Sequence, residues 1–382
     1  MLYLDNSATT KPYEEVIETY NQVALKFFGN PSSIHTLGVQ AEQLLTKARK
    51  QVASLLGAQE GEIIFTSGAT EGNNMAIKGA AFALKHKGNH IITSAIEHPS
   101  VSETVKQLEE HFGFDVTIIS VDENGFINPD DVEKAIRQDT ILVSCMHVNN
   151  ETGAIQPIEE IGKRMKKYRH IYFHVDHVQG VCKVPLDLKK ANVDLCTISG
   201  HKFHALNGTG VLFVRENRSI LPLFSGGSQE KTFRPGTEHL AGAVSLAKGL
   251  RLAMQHYVQN KEQMENTKRY LIEQLKSIEG VTINSPDQNV APHIVNFSVP
   301  GIKAEVLVHM LEEEEIYVST TSACSSRVSS VSKTLLAMGK SQAVAESSIR
   351  VSLTDEHNET HMDEFVVKLK ANIKKLKNVM GL

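Results

Sequence analysis

The stretch DLCTISGHKFHALNGTG, residues 194–210, decides how the chain is read. It opens as an apolar, β-branched run and ends in Ser199, Gly200, His201 and Lys202, where a strand has to turn. Lysine and histidine directly behind a buried strand are costly unless their polar ends have partners. Working outward, similar runs recur as EIIFTS, HIITSA, DVTIIS, TILVSCMHV and IYFHVD before it, and TGVLFVR after it. Segments of helical spacing fall between them, over residues 41–56, 72–85, 100–111, 129–136 and 157–167. Such alternation predicts an α/β fold whose mostly parallel, seven-stranded-type sheet is flanked by helices on both faces.

After Gly236 the texture changes. A long helical stretch over 241–278 leads to the strands VTINS, HIVNFSV, IYVSTTS and SSIRVSL, and an amphipathic helix over 360–380 closes the chain. With 382 residues the chain exceeds the roughly 250–300 at which a single core stops growing. Two domains are therefore expected: a large one over 15–256, and a small α+β one over 257–382 with residues 1–14 packing on it. A net charge of -4 leaves no basic footprint for nucleic acid or an anionic membrane. No apolar run approaches the ~20 residues of a bilayer span. Asp5 interrupts the N-terminal stretch where an export signal needs apolar residues, so a cytoplasmic protein is expected.

Four cysteines without CxxC spacing argue against a zinc site or a disulfide framework. Cys145, Cys182 and Cys196 lie in apolar, strand-like contexts and read as buried thiols. Cys324 differs: it lies in STTSACSSRVSSVSK, a small, polar, serine-rich stretch expected to form an exposed loop.

In open α/β sheets the ligand sits beyond the carboxyl ends of the strands. In FTSGATEGN, Ala69 and Thr70 stand at a strand-to-helix turn, where free N–H groups and the positive helix end can hold a phosphate. Asp176 ends IYFHVD, and a carboxylate buried there needs a cationic or donor partner. A metal ion is one such partner, since His170, His174, His177, His201 and His204 are ligand types; strand alternation, however, turns His177 away from the face of Asp176. A protonated pyridine nitrogen is another. Lys202, at the next strand end, suits Schiff-base chemistry. Phosphate turn, carboxylate and lysine at successive strand ends are the parts that pyridoxal phosphate requires.

Along nearly its whole length the chain resembles the cysteine desulfurases of the NifS/IscS type, within the class V aminotransferases of pyridoxal-phosphate fold type I. The resemblance is carried by YLDNSATT, GNPSSIHTLG, IIFTSGATEGNNMAIKG, HIITSAIEHPSV, DTILVSCMHVNNETGAIQPI, FHVDHVQ, SGHKFHALNGTG, FRPGTEH, TSACSS and SSIRVSL, in the family's order. It implies that Lys202 captures the cofactor aldehyde, Asp176 holds the ring nitrogen's proton and His98 stacks on the ring. Gln179 is implied to bond the phenolic oxygen, with Asn149 on the same side or on the substrate. Ala69, Thr70, Ser199 and His201 are implied at the phosphate, together with Thr237 of the partner subunit, which makes a homodimer part of the site. Arg350, and more weakly Asn6, would take the α-carboxylate of L-cysteine. Cys324 would attack the substrate sulfur and pass a persulfide to an acceptor protein, such as an iron–sulfur scaffold or a tRNA-thiolating enzyme. A selenocysteine lyase or an aminotransferase of the same class remains open at this point.

Two places depart from the family's pattern. Ala205-Leu206-Asn207 replaces its usual Gly-Pro-Lys after the lysine, and His177 stands where a small residue is usual. The role of His35 is not assigned by its chemistry.

Overall fold

The computed structural model describes residues 1–320 and 331–381. Strand β1 (Leu2–Tyr3) opens the chain, and seven strands then build one sheet: β2 (Ile63–Thr66), β3 (His90–Ser94), β4 (Asp115–Ile119), β5 (Thr140–Met146), β6 (Tyr172–Asp176), β7 (Leu195–Ser199) and β8 (Gly210–Val214). Their order is β2-β8-β7-β6-β5-β3-β4. Within this sheet β8 is antiparallel to both its neighbours, and the other four pairings are parallel.

Alternation along each strand divides the side chains between two cores. Ile92, Val143, Phe173, Cys196 and Phe213 enter one; Ile91, Leu142, Tyr172, Leu195 and Leu212 enter the other. Because both faces are covered, the strands are continuous apolar runs rather than apolar–polar alternations. The helix Ala69–Leu84 contributes Met75, Ile77 and Ala80 to the second core. It sits so close to β7 that a Cβ added at Gly72 would lie 2.7 Å from Thr197 Cγ2.

The C-terminal layer contains β9 (Thr282–Ile283), β10 (Ile294–Ser298), β11 (Ile316–Tyr317), β12 (Ser319–Thr320) and β13 (Ser348–Ser352). Four of them form an antiparallel sheet in the order β12-β13-β10-β9, while β11 pairs in parallel with β1. Leu2 and Leu4 share a core with Phe297, Ile349, Val351 and Phe365, and Asp5 bridges to Ser352. The 37-residue helix Leu240–Lys276 runs unbroken through residue 257. Its Leu246 and Leu250 pack in the large core, and its Leu271 and Leu275 in the C-terminal one. No helix among the described residues is long and apolar enough to cross a membrane.

Candidate active site

The parallel arrangement brings the carboxyl ends of β2, β3, β5, β6 and β7 to one edge of the large sheet. A cavity of ≈ 500 Å³ lies there, lined among others by Thr70, His98, Asp176, Gln179, Lys202 and Arg350. At one end Gly68 holds φ +149, a conformation open to glycine, and no side chain caps the helix Ala69–Leu84 that follows. A Cβ at Gly68 would point to within 3.6 Å of Ser199 Oγ. The first N–H groups of the helix, at Ala69 and Thr70, therefore remain available beside Ser199 and His201, with the positive end of the helix dipole behind them. His201 Nδ1 lies 3.3 Å from Thr9 Oγ1. Burial, reinforced by Lys202, lowers its pKa to about 4, which leaves a neutral ring at pH 7.

The floor is a connected polar network. Asp176 Oδ2 accepts from Asn73 Nδ2 at 2.8 Å, and Oδ1 accepts from Val178 N at 3.0 Å. The second amide hydrogen of Asn73 goes to Ser100 Oγ at 2.9 Å. That leaves the Ser100 hydroxyl proton for His98 Nδ1, 2.8 Å away. His98 Nδ1 also accepts from Ser100 N at 3.1 Å, so the ring proton sits on Nε2. Burial lowers the pKa of His98 against the opposing pull of Asp176, keeping it neutral. Asn73 thus ties the implied stacking histidine to the implied ring-nitrogen carboxylate.

Lys202 Nζ donates to Ser7 O at 2.6 Å and Ala8 O at 2.7 Å, two carbonyls of the N-terminal segment. Its own carbonyl accepts from Lys183 Nζ at 2.6 Å, and burial brings the Lys183 amine down to about 8. Arg350 donates from Nη2 to Asp5 Oδ1 and from Nη1 to Asn150 O, both at 2.9 Å. Its Nε is buried and has no hydrogen-bond partner among the described residues. Gln179 gives Nε2 to Ser7 O at 2.9 Å and keeps Oε1 buried without a partner among the described residues.

The side chains of Asn149 and Asn6 are committed to backbone groups. Asn149 is fully buried; its Oδ1 accepts from Glu151 N and Thr152 N, and its Nδ2 donates to Ile96 O, so it fixes the turn behind β5. Its neighbour Asn150 lines the cavity instead. Asn6 donates to Tyr3 O and Ser352 O, which anchors the N-terminal segment. Thr237 is exposed. Cys324 lies outside the described residues. His35 caps the helix Thr36–Leu55, accepting from Gly38 N at 3.2 Å.

The two departures are accommodated locally. Ala205 is buried against Gly249 of the long helix, and Thr209 Oγ1 closes the turn onto Leu206 O at 2.6 Å. Asn207 and Gly208 reach the cavity wall. His177 turns away to meet His147, Nδ1 to Nδ1, at 2.8 Å. His174 bonds Ser144 and His204 stacks on Tyr13. Among the described residues no group of three or more His, Cys, Asp or Glu is placed to hold a metal ion. Sequence reasoning passed over Asn73, Asp5, Lys183 and the Ser7 and Ala8 carbonyls; YLDNSATT and TEGNN were visible, but backbone acceptors and long-range partners carry no motif.

The chain belongs to the class-V aminotransferase family, whose model matches residues 2–365. Within it the chain groups with the NifS/IscS type. It is 46% identical to a NifS/IcsS protein homolog of Lactobacillus delbrueckii subsp. bulgaricus, over 96% of this chain and 95% of that one. It is 44% identical to the cysteine desulfurase IscS of Dictyoglomus turgidum, over 92% of this chain and 89% of that one. A solved NifS-like protein superimposes with a TM-score of 0.92 at 35% identity, covering 98% and 99% of the two chains. The fold is that of type I pyridoxal-phosphate enzymes, and the cofactor of the family is pyridoxal phosphate. The donor set suits it: an uncapped helix end with a glycine cradle for phosphate, a buried carboxylate for the ring nitrogen, an orphaned Gln179 oxygen, and a lysine between them.

Proposed function

We propose that the chain is a cysteine desulfurase that converts L-cysteine to L-alanine and leaves the sulfur as a persulfide on Cys324. The observation that carries this reading is the placement of Lys202, Asp176, His98 and Arg350 around one cavity. When bound, pyridoxal phosphate supplies an aldehyde that captures amines and a ring that takes up carbanion electrons. Ala69, Thr70, Ser199 and His201 would hold its phosphate and Asp176 its ring nitrogen. The carbonyls of Ser7 and Ala8 orient the Lys202 amine, which moves the substrate α-proton. Arg350, already braced by Asp5 and Asn150, offers the remaining edge of its fork to the α-carboxylate.

Cys324 acts as a thiolate. A sulfur–sulfur bond forms as the carbon–sulfur bond of the substrate breaks; the electron pair stays with carbon, which takes a proton and leaves as L-alanine. The enzyme is read as a cytoplasmic homodimer in which Thr237 of the partner subunit completes the phosphate site. Its two domains span 15–256 and 257–382, the latter with residues 1–14. Its persulfide passes to an acceptor protein of iron–sulfur assembly or tRNA thiolation.

The test is direct. Purified protein should carry the cofactor's visible absorbance and release alanine from L-cysteine, and Lys202→Ala should abolish alanine formation. Cys324→Ser should stop transfer of labelled sulfur to an acceptor; transfer at the normal rate would remove Cys324 from the role.

A further inference from the structure

The turn behind β5 ends in Glu151, whose half-buried carboxylate has no part in the chemistry above. Its two oxygens are met from the residues that begin the helix Lys333–Ala337. Ser332 Oγ donates to Oε2, and Thr334 Oγ1 donates to Oε1 at 3.0 Å. Ser332 is also the N-cap of the helix Lys333–Ala337, accepting from Leu335 N at 3.0 Å. One hydroxyl therefore both starts that helix and fastens it to Glu151. Burial pushes the Glu151 carboxyl up, while Ser332, Thr334 and then Arg350 pull it down.

The other side of Glu151 is gripped as firmly. Its N–H donates to Asn149 Oδ1 at 2.9 Å, and its carbonyl accepts from Asn296 Nδ2 at 3.2 Å. The preceding carbonyl, of Asn150, is the acceptor of Arg350 Nη1. Arg350, Asn150, Glu151 and Ser332 thus form a continuous polar chain from the substrate's carboxylate site to a point eight residues beyond Cys324. A half-buried carboxylate that accepts from two hydroxyls favours one geometry for both, because losing either removes a charge-assisted bond.

We propose that Glu151 is a positioning residue for sulfur transfer. It fixes the chain downstream of Cys324 and references that anchor to the backbone braced by Arg350. The inference rests on Cys324 being the nucleophile. Glu151 does not line the cavity of the proposed site, so its loss should spare substrate binding and slow the step that needs the thiolate.

The experiment compares holoenzymes of wild type, Glu151→Ala, Glu151→Gln, the double variant Ser332→Ala with Thr334→Val, and Cys324→Ser. Three quantities are read: the cysteine-induced change in visible absorbance, the kcat and KM for alanine release, and amide hydrogen exchange over residues 331–337. For Glu151→Ala the absorbance change should keep its amplitude, and KM should stay within about threefold. Its kcat should fall by at least about twentyfold, and exchange over 331–337 should rise at least about tenfold. Glu151→Gln, which retains an acceptor oxygen, should recover most of the rate. The double variant should reproduce the loss from the opposite side, so a folding failure of one variant leaves the other decisive. Alanine release within threefold of wild type in Glu151→Ala, with Cys324→Ser inactive, overturns the role of Glu151 alone. A loss of kcat matched by loss of the absorbance amplitude overturns it too, since the damage would then lie at the binding site. Normal alanine release by Cys324→Ser defeats the nucleophile assignment and the proposal with it.

Discussion

Asn73 shows how much of this site depends on a residue without chemistry of its own. Its one amide group orients Asp176 and, through Ser100, His98. Asn73→Leu keeps the volume but strands a buried carboxylate oxygen, a charge-assisted bond worth about 1.5–3 kcal/mol. Alanine formation should fall at least about tenfold with the cofactor still bound, as read by steady-state kinetics alongside cofactor content; an unchanged rate would mean that Asp176 needs no holder. At this scale the sequence was partly legible. Asp176 and Lys202 announce themselves as titratable groups at strand ends, where burial demands a reason. Asn73 is 103 positions from Asp176 and sits inside a helix, where an asparagine ordinarily says nothing. Asn149 carries the opposite ambiguity: an asparagine at a strand end also serves turns, and here its side chain closes one.

Among the elements, the helix Ala69–Leu84 does the most for the site, and Gly72 sets its distance from β7. A methyl at Gly72 meets the β-branched, buried Thr197, which has no room to turn. Gly72→Ala should cost about 1–3 kcal/mol of stability through overpacking. It should also move the phosphate turn, so that pyridoxal-phosphate affinity, titrated by visible absorbance, weakens about tenfold or more. Element order was legible because doubly covered strands and helices differ in length and period. The helix Glu14–Lys26 was not, since it buries only Val16 and Val23 and so lacks a broad apolar stripe. The run IYVSTTS reads as one strand, yet Val318 separates β11, which pairs with β1, from β12, which pairs with β13. Which sheet a short strand joins depends on partners far away in the chain.

The whole molecule carries an unusual load of buried, neutral histidine. Burial lowers His147, His201 and His204 to about 4 and His174 to about 3, and holds His177 and His293 well below their ordinary value. Between pH 6.5 and about 4 the unfolded chain binds protons that the native state refuses, so stability falls as pH drops through that window. Glu97, raised to about 8, and Asp5 and Glu151, also raised, act with the opposite sign as pH falls from 8, but three carboxyls face these six histidines and three more that burial lowers, His90, His98 and His357. The melting temperature should decline steadily from pH 6.5 to 4. A flat profile over that range, measured by calorimetry, would mean that these rings charge in place without cost. None of this was legible from the sequence, in which His174, His177, His201 and His204 look like metal ligands.

The N-terminal segment runs from the C-terminal core to the lysine turn, and that path has a consequence for how the enzyme is made. Asp5 finds its guanidinium 345 residues later, on a strand that also receives Asn6 and Ser7. At the ~5–20 residues per second of translation, the first segment waits roughly 20–70 s for that strand to leave the ribosome. The large sheet can assemble around Lys202 in the meantime, with Thr10 N donating to His201 O, but Ser7 is fastened to Ser352 only once that strand has been made. The seat of Lys202 is therefore completed only after β13 has been made, and a chain truncated before Ser352 keeps the lysine with that seat unfastened.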